Sequence, residues 1–220
     1  DQVWGNYGAP QPALFGLGLG KDIQSTAHDA DAEQTTELPH DVAQEWNRVQ
    51  NATAENGRSR DDSVVTRGLH KVYPGGNVAV KSLSVGVTRG SCFGMLGPNG
   101  AGKTTTINML TGFATPTSGD ALVEGFSINK HMRKIYTIMG VCPQHDILWD
   151  VLTAAQHMEF YGALKHLKGM ALKKAATDGL RSVSLLNWKD QKVSSFSGGM
   201  KRRVAIAKAL AHEPRILFLD

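Results

Sequence analysis

Gly97-Pro98-Asn99-Gly100-Ala101-Gly102-Lys103-Thr104 is the stretch on which the fold turns. Gly97, Gly100 and Gly102 let the main chain wrap closely enough for its N–H groups to converge on one point. Asn99 lies inside the same loop. Upstream, Ser91–Leu96 is a short apolar run that predicts a strand, and downstream Thr104–Thr111 predicts a helix. That helix would aim its positive N-terminal end at the same point. Lys103 adds a mobile cation, Thr104 a hydroxyl able to ligate a divalent metal, and Thr105 a further donor. Strand, glycine loop and helix in this order form a cradle for a polyphosphate.

The segments around the loop continue the alternation. Ser63–His70 and Val78–Val87 predict strands, and Pro74-Gly75-Gly76-Asn77 between them is turn chemistry, so an antiparallel hairpin opens the domain. Ala121–Ile128 and Ile135–Val141 predict further strands, and Leu152–Leu167, Ala171–Leu186 and Gly198–Ala211 predict helices. Pro214 follows the last helix, and Ile216-Leu217-Phe218-Leu219 is an apolar strand ending in the carboxylate of Asp220. Strands and helices in alternation indicate an α/β fold with a mostly parallel sheet. Residues 1–62 read as a linker, largely disordered, with residues 63–220 as the folded domain. Within the linker Asp41–Gln50 is an exception: Val42, Trp46 and Val49 share a helical face, and Asp41 is placed to cap it.

Composition excludes several classes. Of the 220 residues 41% are hydrophobic and 20% charged, and the net charge is +4. No basic stripe is interleaved with aromatics, so no nucleic-acid partner is expected. The spacing of Cys92 and Cys142 suits neither zinc nor a disulfide framework, and both are expected as reduced core thiols. No apolar run reaches the roughly 18 residues needed to span a bilayer, the Gly-rich Ala13–Gly20 included. Asn51-Ala52-Thr53 fits a glycosylation sequon that a cytosolic segment would not use.

A second anion site lies between the loop and Asp220. Ser197-Gly198-Gly199 opens a helix with a hydroxyl, bare amides and a positive end. Lys201, Arg202 and Arg203 follow and read as solvated helix charges. At these residues the chain resembles the ATP-binding cassette (ABC) family, over roughly residues 64–220. The resemblance implies a P-loop NTPase cassette with an N-terminal antiparallel β subdomain, a mostly parallel core sheet and a helical signature subdomain. It implies ATP and Mg²⁺ as cofactors. Tyr73 matches the aromatic that stacks on adenine, and Gly97–Thr105 the Walker A loop. Gln144 matches the Q-loop glutamine, which touches Mg²⁺ and senses the transmembrane part. Ser197, Gly198 and Gly199 match the signature that contacts the γ-phosphate across a dimer. Asp220 matches the Walker B aspartate. Lys103, Gln144 and Asp220 then form the catalytic set, and Thr104, Gln144 and Asp220 the metal set.

Gly140-Val141-Cys142-Pro143-Gln144-His145-Asp146, Cys92-Phe93-Gly94-Met95-Leu96 and Met200-Lys201-Arg202-Arg203 are similar to subfamily A, large transporters associated with lipid or sterol movement. Phe196 and Val204-Ala205-Ile206-Ala207 also suit drug-export cassettes. The partners implied are a second cassette arranged head-to-tail and transmembrane domains, which place the chain at the cytoplasmic face of a membrane. A soluble cassette protein and a nucleotide-binding fragment that does not hydrolyse are the alternatives. The family's catalytic glutamate follows the Walker B aspartate, and a switch histidine lies further on. The chain is therefore expected to be a fragment of a longer transporter, incomplete at its C-terminus, that binds nucleotide better than it cleaves it.

Overall fold

The computed structural model describes residues 39–51 and 61–220. Most of the linker reading, the Ala13–Gly20 run and the Ala52-Thr53 end of the sequon lie outside them. The chain divides into two units, Asp1–Lys130 and His131–Asp220.

In the first unit, β1 (Asp62–Val72) and β2 (Val78–Thr88) pair antiparallel, as the turn residues predict. Gly75 and Gly76 take φ of 93° and 82°, and the Tyr73 N–H donates to the Asn77 carbonyl at 2.9 Å. β1 pairs on its other side with β3 (Ser118–Val123), and β4 (Phe126–Ser127) closes the antiparallel order β2-β1-β3-β4. The single strand predicted over Ala121–Ile128 is thus a hairpin. Glu124 and Gly125 reverse the chain with φ of 50° and 77°, and Val123 pairs with Phe126. Val64, Val65, Leu69, Val80, Ala121 and Val123 are buried in this sheet, Val64 and Val65 on its opposite faces, and Met109 and Leu110 of α2 (Lys103–Leu110) are buried too.

The expected amphipathic segment is α1 (His40–Asn51). Its Val49 is fully buried, and Val42 and Trp46 on the same face are half-buried. Asp41 lies within the first turn rather than before it, and its Oδ1 accepts the Val42 N–H at 2.9 Å. Polar contacts fix this helix to the sheet. Glu45 accepts the Gly86 N–H at 2.7 Å, and Arg48 donates to Glu45 at 2.7 Å and to the buried Asp62 at 2.9 Å. Burial alone would push the Glu45 carboxyl up, but Arg48 and the Gly86 amide outweigh it and hold it below its ordinary value.

Ser91–Leu96 is not a strand here. Phe93 and Met95 face a cavity of about 90 Å³ shared with Val42 and Leu83, while Cys92 and Leu96 are exposed. A strand is defined by a ladder, and no described neighbour supplies its rungs. Cys92 is accordingly exposed and not the core thiol expected; Cys142 is buried, and both are free.

The second unit begins with another correction. Ile135–Val141 is not one strand but α3 (Met132–Ile138) running into β5 (Met139–Cys142). The apolar positions Met132, Ile135 and Met139 repeat at helical spacing as far as Met139. β5 pairs parallel with β6 (Ile216–Leu219), in register Met139 to Ile216 and Cys142 to Leu219. This pair is the parallel sheet among the described residues. α4 (Ala154–Leu164) starts on a reciprocal cap: the Gln156 N–H donates to the Thr153 hydroxyl, and the Thr153 N–H to Gln156 Oε1 at 2.8 Å. α5 (Gly169–Ser182) and α6 (Gly198–Leu210) complete the helices. Met158, Ala176, Leu180, Leu185, Val193, Phe196, Val204 and Ala207 form their shared core. Across α6 a second, smaller cluster of Ala205, Ala209 and Cys142 joins that helix to β5. No described helix is long and apolar enough to cross a membrane.

Candidate functional site

The glycine loop holds its shape through its own backbone. Gly100 and Gly102 take φ of 85° and 87°, which other residues adopt only with strain. At Gly102 there is no room either: a Cβ would stand 2.4 Å from the Ala79 carbonyl of β2. The Thr106 N–H and hydroxyl both return to the Gly102 carbonyl, at 2.8 and 2.9 Å, and start α2 at Lys103. The Lys103 ammonium arches back over the loop and donates to the Gly97 and Pro98 carbonyls at 2.7 and 2.8 Å. Its cation is thereby held at the loop mouth, and Asn99, Gly100 and Thr104 around it are exposed. Thr105 sits half-buried on the first turn of α2. Positive-φ glycines, a helix start and one lysine at the loop mouth are the parts from which an anion site would be built.

In the same unit, Tyr73 ends β1 at the hairpin, half-buried, with the Lys71 ammonium 5.1 Å from its ring centre. Its main chain closes the turn.

The second unit gathers Gln144, Asp220 and Ser197–Gly199. Gln144 follows β5 and is exposed. Asp220 follows β6, and its N–H donates to the Cys142 carbonyl at 3.0 Å, the last rung between the two strands. Gln144 and Asp220 therefore leave the same edge of the parallel pair, where ligands of α/β sheets collect. Ser197 caps α6, its hydroxyl accepting the Met200 N–H at 3.3 Å. Gly198 and Gly199 are exposed, and a Cβ on either would touch nothing of this chain within 4 Å.

Sequence reasoning missed the contacts of the α6 cations: Arg203 is exposed as expected, but Lys201 and Arg202 are half-buried and Lys208 is buried. Lys201 pairs with Asp150 at 3.1 Å, and Arg203 donates to the Val183 carbonyl at 3.3 Å. Arg202 donates to the Pro143 carbonyl, and to that of Asp220 at 2.7 Å. Lys208 is nearly buried, donates to the Ile147 carbonyl at 3.1 Å and lies 4.3 Å over the Tyr161 ring. Burial pushes its ammonium below the ordinary lysine range. His157, fully buried, closes the far end of the 143–150 loop. Its Nε2 accepts the Trp149 N–H and its Nδ1–H donates to the Thr153 carbonyl, both at 2.9 Å.

The sequence matches the ABC transporter family over residues 80–220. ABC transporter A family member 10 of Arabidopsis thaliana is 49% identical over 187 residues, which cover 82% of this chain and 20% of that protein. A family member 12 of the same plant is 49% identical over 188 residues, with the same shares covered. The chain thus spans about a fifth of the length of these curated relatives. Among solved structures, cbiO1 from Clostridium perfringens, described as part of the ABC transporter complex cbiONQ, superposes with a TM-score of 0.66 at 29% identity. That alignment covers 73% of this chain and 66% of the other. On the match over residues 80–220 and these likenesses, the chain belongs to the ABC transporter family as an ATP-binding ATPase cassette that resembles subfamily A.

Proposed function

We propose that residues 63–220 are the motor domain of a subfamily A transporter, coupling ATP binding and hydrolysis to the movement of a lipid. Residues 1–62 then form the linker toward membrane-spanning segments, docked to the cassette by α1. One observation carries the shared-site part of this reading. Gly198 and Gly199 meet nothing of their own chain at the positive end of α6, so the space they leave open suits the nucleotide of a second cassette. In this arrangement two cassettes meet head-to-tail around two ATP molecules. Gly97, Asn99, Gly100, Gly102 and Lys103 hold the phosphates, with Thr105 on the α-phosphate and Tyr73 stacked on adenine.

The hydroxyl of Thr104, the amide oxygen of Gln144 and the carboxylate of Asp220 are hard oxygen donors, the kind Mg²⁺ takes. Bound there, the ion would neutralise charge on the β- and γ-phosphates. Lys103 would share that task, while Gln144 and Asp220 would orient the metal and the attacking water. Residues 145–161 would carry the resulting movement to the transmembrane segments. Ile147, Trp149, Val151 and Phe160 are exposed there, as a docking surface requires. The cargo assignment rests on the resemblance to subfamily A alone.

The test is a titration of the chain with fluorescent MgATP, beside full-length transporter in vesicles carrying a labelled lipid. Lys103→Ala is expected to weaken nucleotide binding by more than about tenfold, the scale of a lost charge-assisted contact, and to stop ATP-dependent lipid movement. Binding equal to wild type would remove the phosphate-site assignment. ATP turnover without lipid movement in the wild type would remove the cargo.

A further inference from the structure

β5 and β6 share a rung at Cys142, where the Asp220 N–H donates to the Cys142 carbonyl at 3.0 Å. Just past this rung stand the Pro143 and Asp220 carbonyls, two main-chain acceptors. One side chain meets both. Arg202, on the first turns of α6, donates from Nη1 to Pro143 and from Nη2 to Asp220 at 2.7 Å. Nη1 also stands 3.5 Å from the Gln144 carbonyl and 3.4 Å from Asp146 Oδ1. A guanidinium is planar and carries its donors in a fixed fork, so it sets the spacing between two acceptors, whereas an ammonium offers a point charge.

The ion pair with Asp146 does not explain the residue. It is long and partly exposed on both sides, a geometry worth little. The short contacts go to main-chain oxygens, at the feet of Gln144 and Asp220. The same helix begins at Ser197-Gly198-Gly199, about a turn and a half away. Lys201 and Lys208 hold the same loop at Asp150 and Ile147, so α6 and residues 143–150 are tied at several points.

We infer that Arg202 is a positioning residue: its fork spaces Gln144 from Asp220 and passes displacement of the signature end of α6 to both. This rests on the proposed function. The geometry would let engagement of Ser197–Gly199 by a nucleotide alter how Gln144 and Asp220 present their oxygens, through a side chain that touches neither nucleotide nor metal.

The experiment uses full-length transporter carrying Arg202→Met, Arg202→Lys or Lys103→Ala, with ATPase rates, MgATP binding and amide exchange measured together. Arg202→Met is expected to lower kcat by on the order of tenfold to a hundredfold, the usual effect of a misplaced reacting group. KM and MgATP affinity should stay within about twofold, because the phosphate loop is untouched. Amide exchange should accelerate at residues 144–148 and not in α5. Arg202→Lys keeps the charge and loses the fork, and should behave like the methionine variant. A wild-type kcat in Arg202→Met, full rescue by lysine, or exchange raised evenly over both helices would each overturn the inference. Lys103→Ala separates the two levels. If it binds MgATP normally, the proposed function itself fails. If it loses binding while the Arg202 variants match wild type, only the positioning role fails.

Discussion

Two loops of this chain carry the groups assigned to the proposed ATP site, and they are built by opposite means. Residues 97–104 are shaped by backbone: positive φ at Gly100 and Gly102, a helix start, and a lysine folded onto its own carbonyls. Residues 143–150 have little internal frame, one bond from the Leu148 N–H to the Asp146 carbonyl at 3.1 Å. They are held from outside by Lys201, Arg202 and Lys208 of α6 and by His157 of α4. A backbone-built loop is rigid by local sequence and intolerant of change. A loop held by side chains can move with the helix that holds it. The difference suits the proposed tasks, since phosphate binding needs a preformed cradle and coupling needs a part that shifts.

The largest expected effect tests the first half of that contrast. Gly102→Ala places a Cβ 2.4 Å from the Ala79 carbonyl in a left-handed conformation. Strain of this kind costs about 1–3 kcal/mol, and a displaced loop loses its converging amides. Chemical denaturation should show that loss, and MgATP titration a fall in affinity above about tenfold. A variant that binds normally would mean that the loop is held from outside after all, and the contrast would collapse.

A smaller effect is expected at Lys208→Met. The ammonium is nearly buried and desolvated, so methionine recovers packing while giving up one hydrogen bond and one ring contact. Stability should change by less than about 1 kcal/mol, because the lost hydrogen bond and the relief of burying a charge offset each other. Exchange of the amides at 146–150 should nonetheless quicken, since an anchor is gone. A large stability loss without local loosening would show that Lys208 is a core group and not a tether.

What the sequence could reveal follows the same division. The glycine loop, the Pro74–Asn77 turn and the caps at Thr153 and Ser197 were legible because their chemistry lies within a few residues. Ile135–Val141 was misread because β-branched residues favour strand while the burial of Met132, Ile135 and Met139 follows helical spacing. Ser91–Leu96 has the composition of a strand, but a ladder depends on a neighbour that no local pattern supplies. Arg202 was hidden for a stronger reason. Adjacent Lys201, Arg202 and Arg203 look like a wet helix face, and the oxygens that Arg202 meets belong to peptide bonds 59 and 18 residues away. Main-chain acceptors have no residue identity, so spacing cannot announce them.

Acid should separate the two units without any mutation, and by the least drastic route. His157 and His212, both in the second unit, are pushed below the ordinary histidine value of 6.5 mainly by burial. Lys208 lowers the first further, and Lys165 the second. In the folded chain His157 must stay neutral, because Nε2 accepts the Trp149 N–H, and a second proton would break that bond. Since the folded value lies below the unfolded one, both states are neutral above about 6.5 and the contribution is complete there. As pH falls through that value the unfolded chain takes up protons first, and stability drains until the folded values are passed. Protection factors in α4 and β5 should therefore drop between neutral pH and the region below 6.5, before those of β1 and β2. Replacing His157 and His212 with Gln should flatten that slope. An equal, parallel drop in the strands of the first unit would mean that acid acts through general charge, and that the second unit's loop is no more conditional than the phosphate cradle.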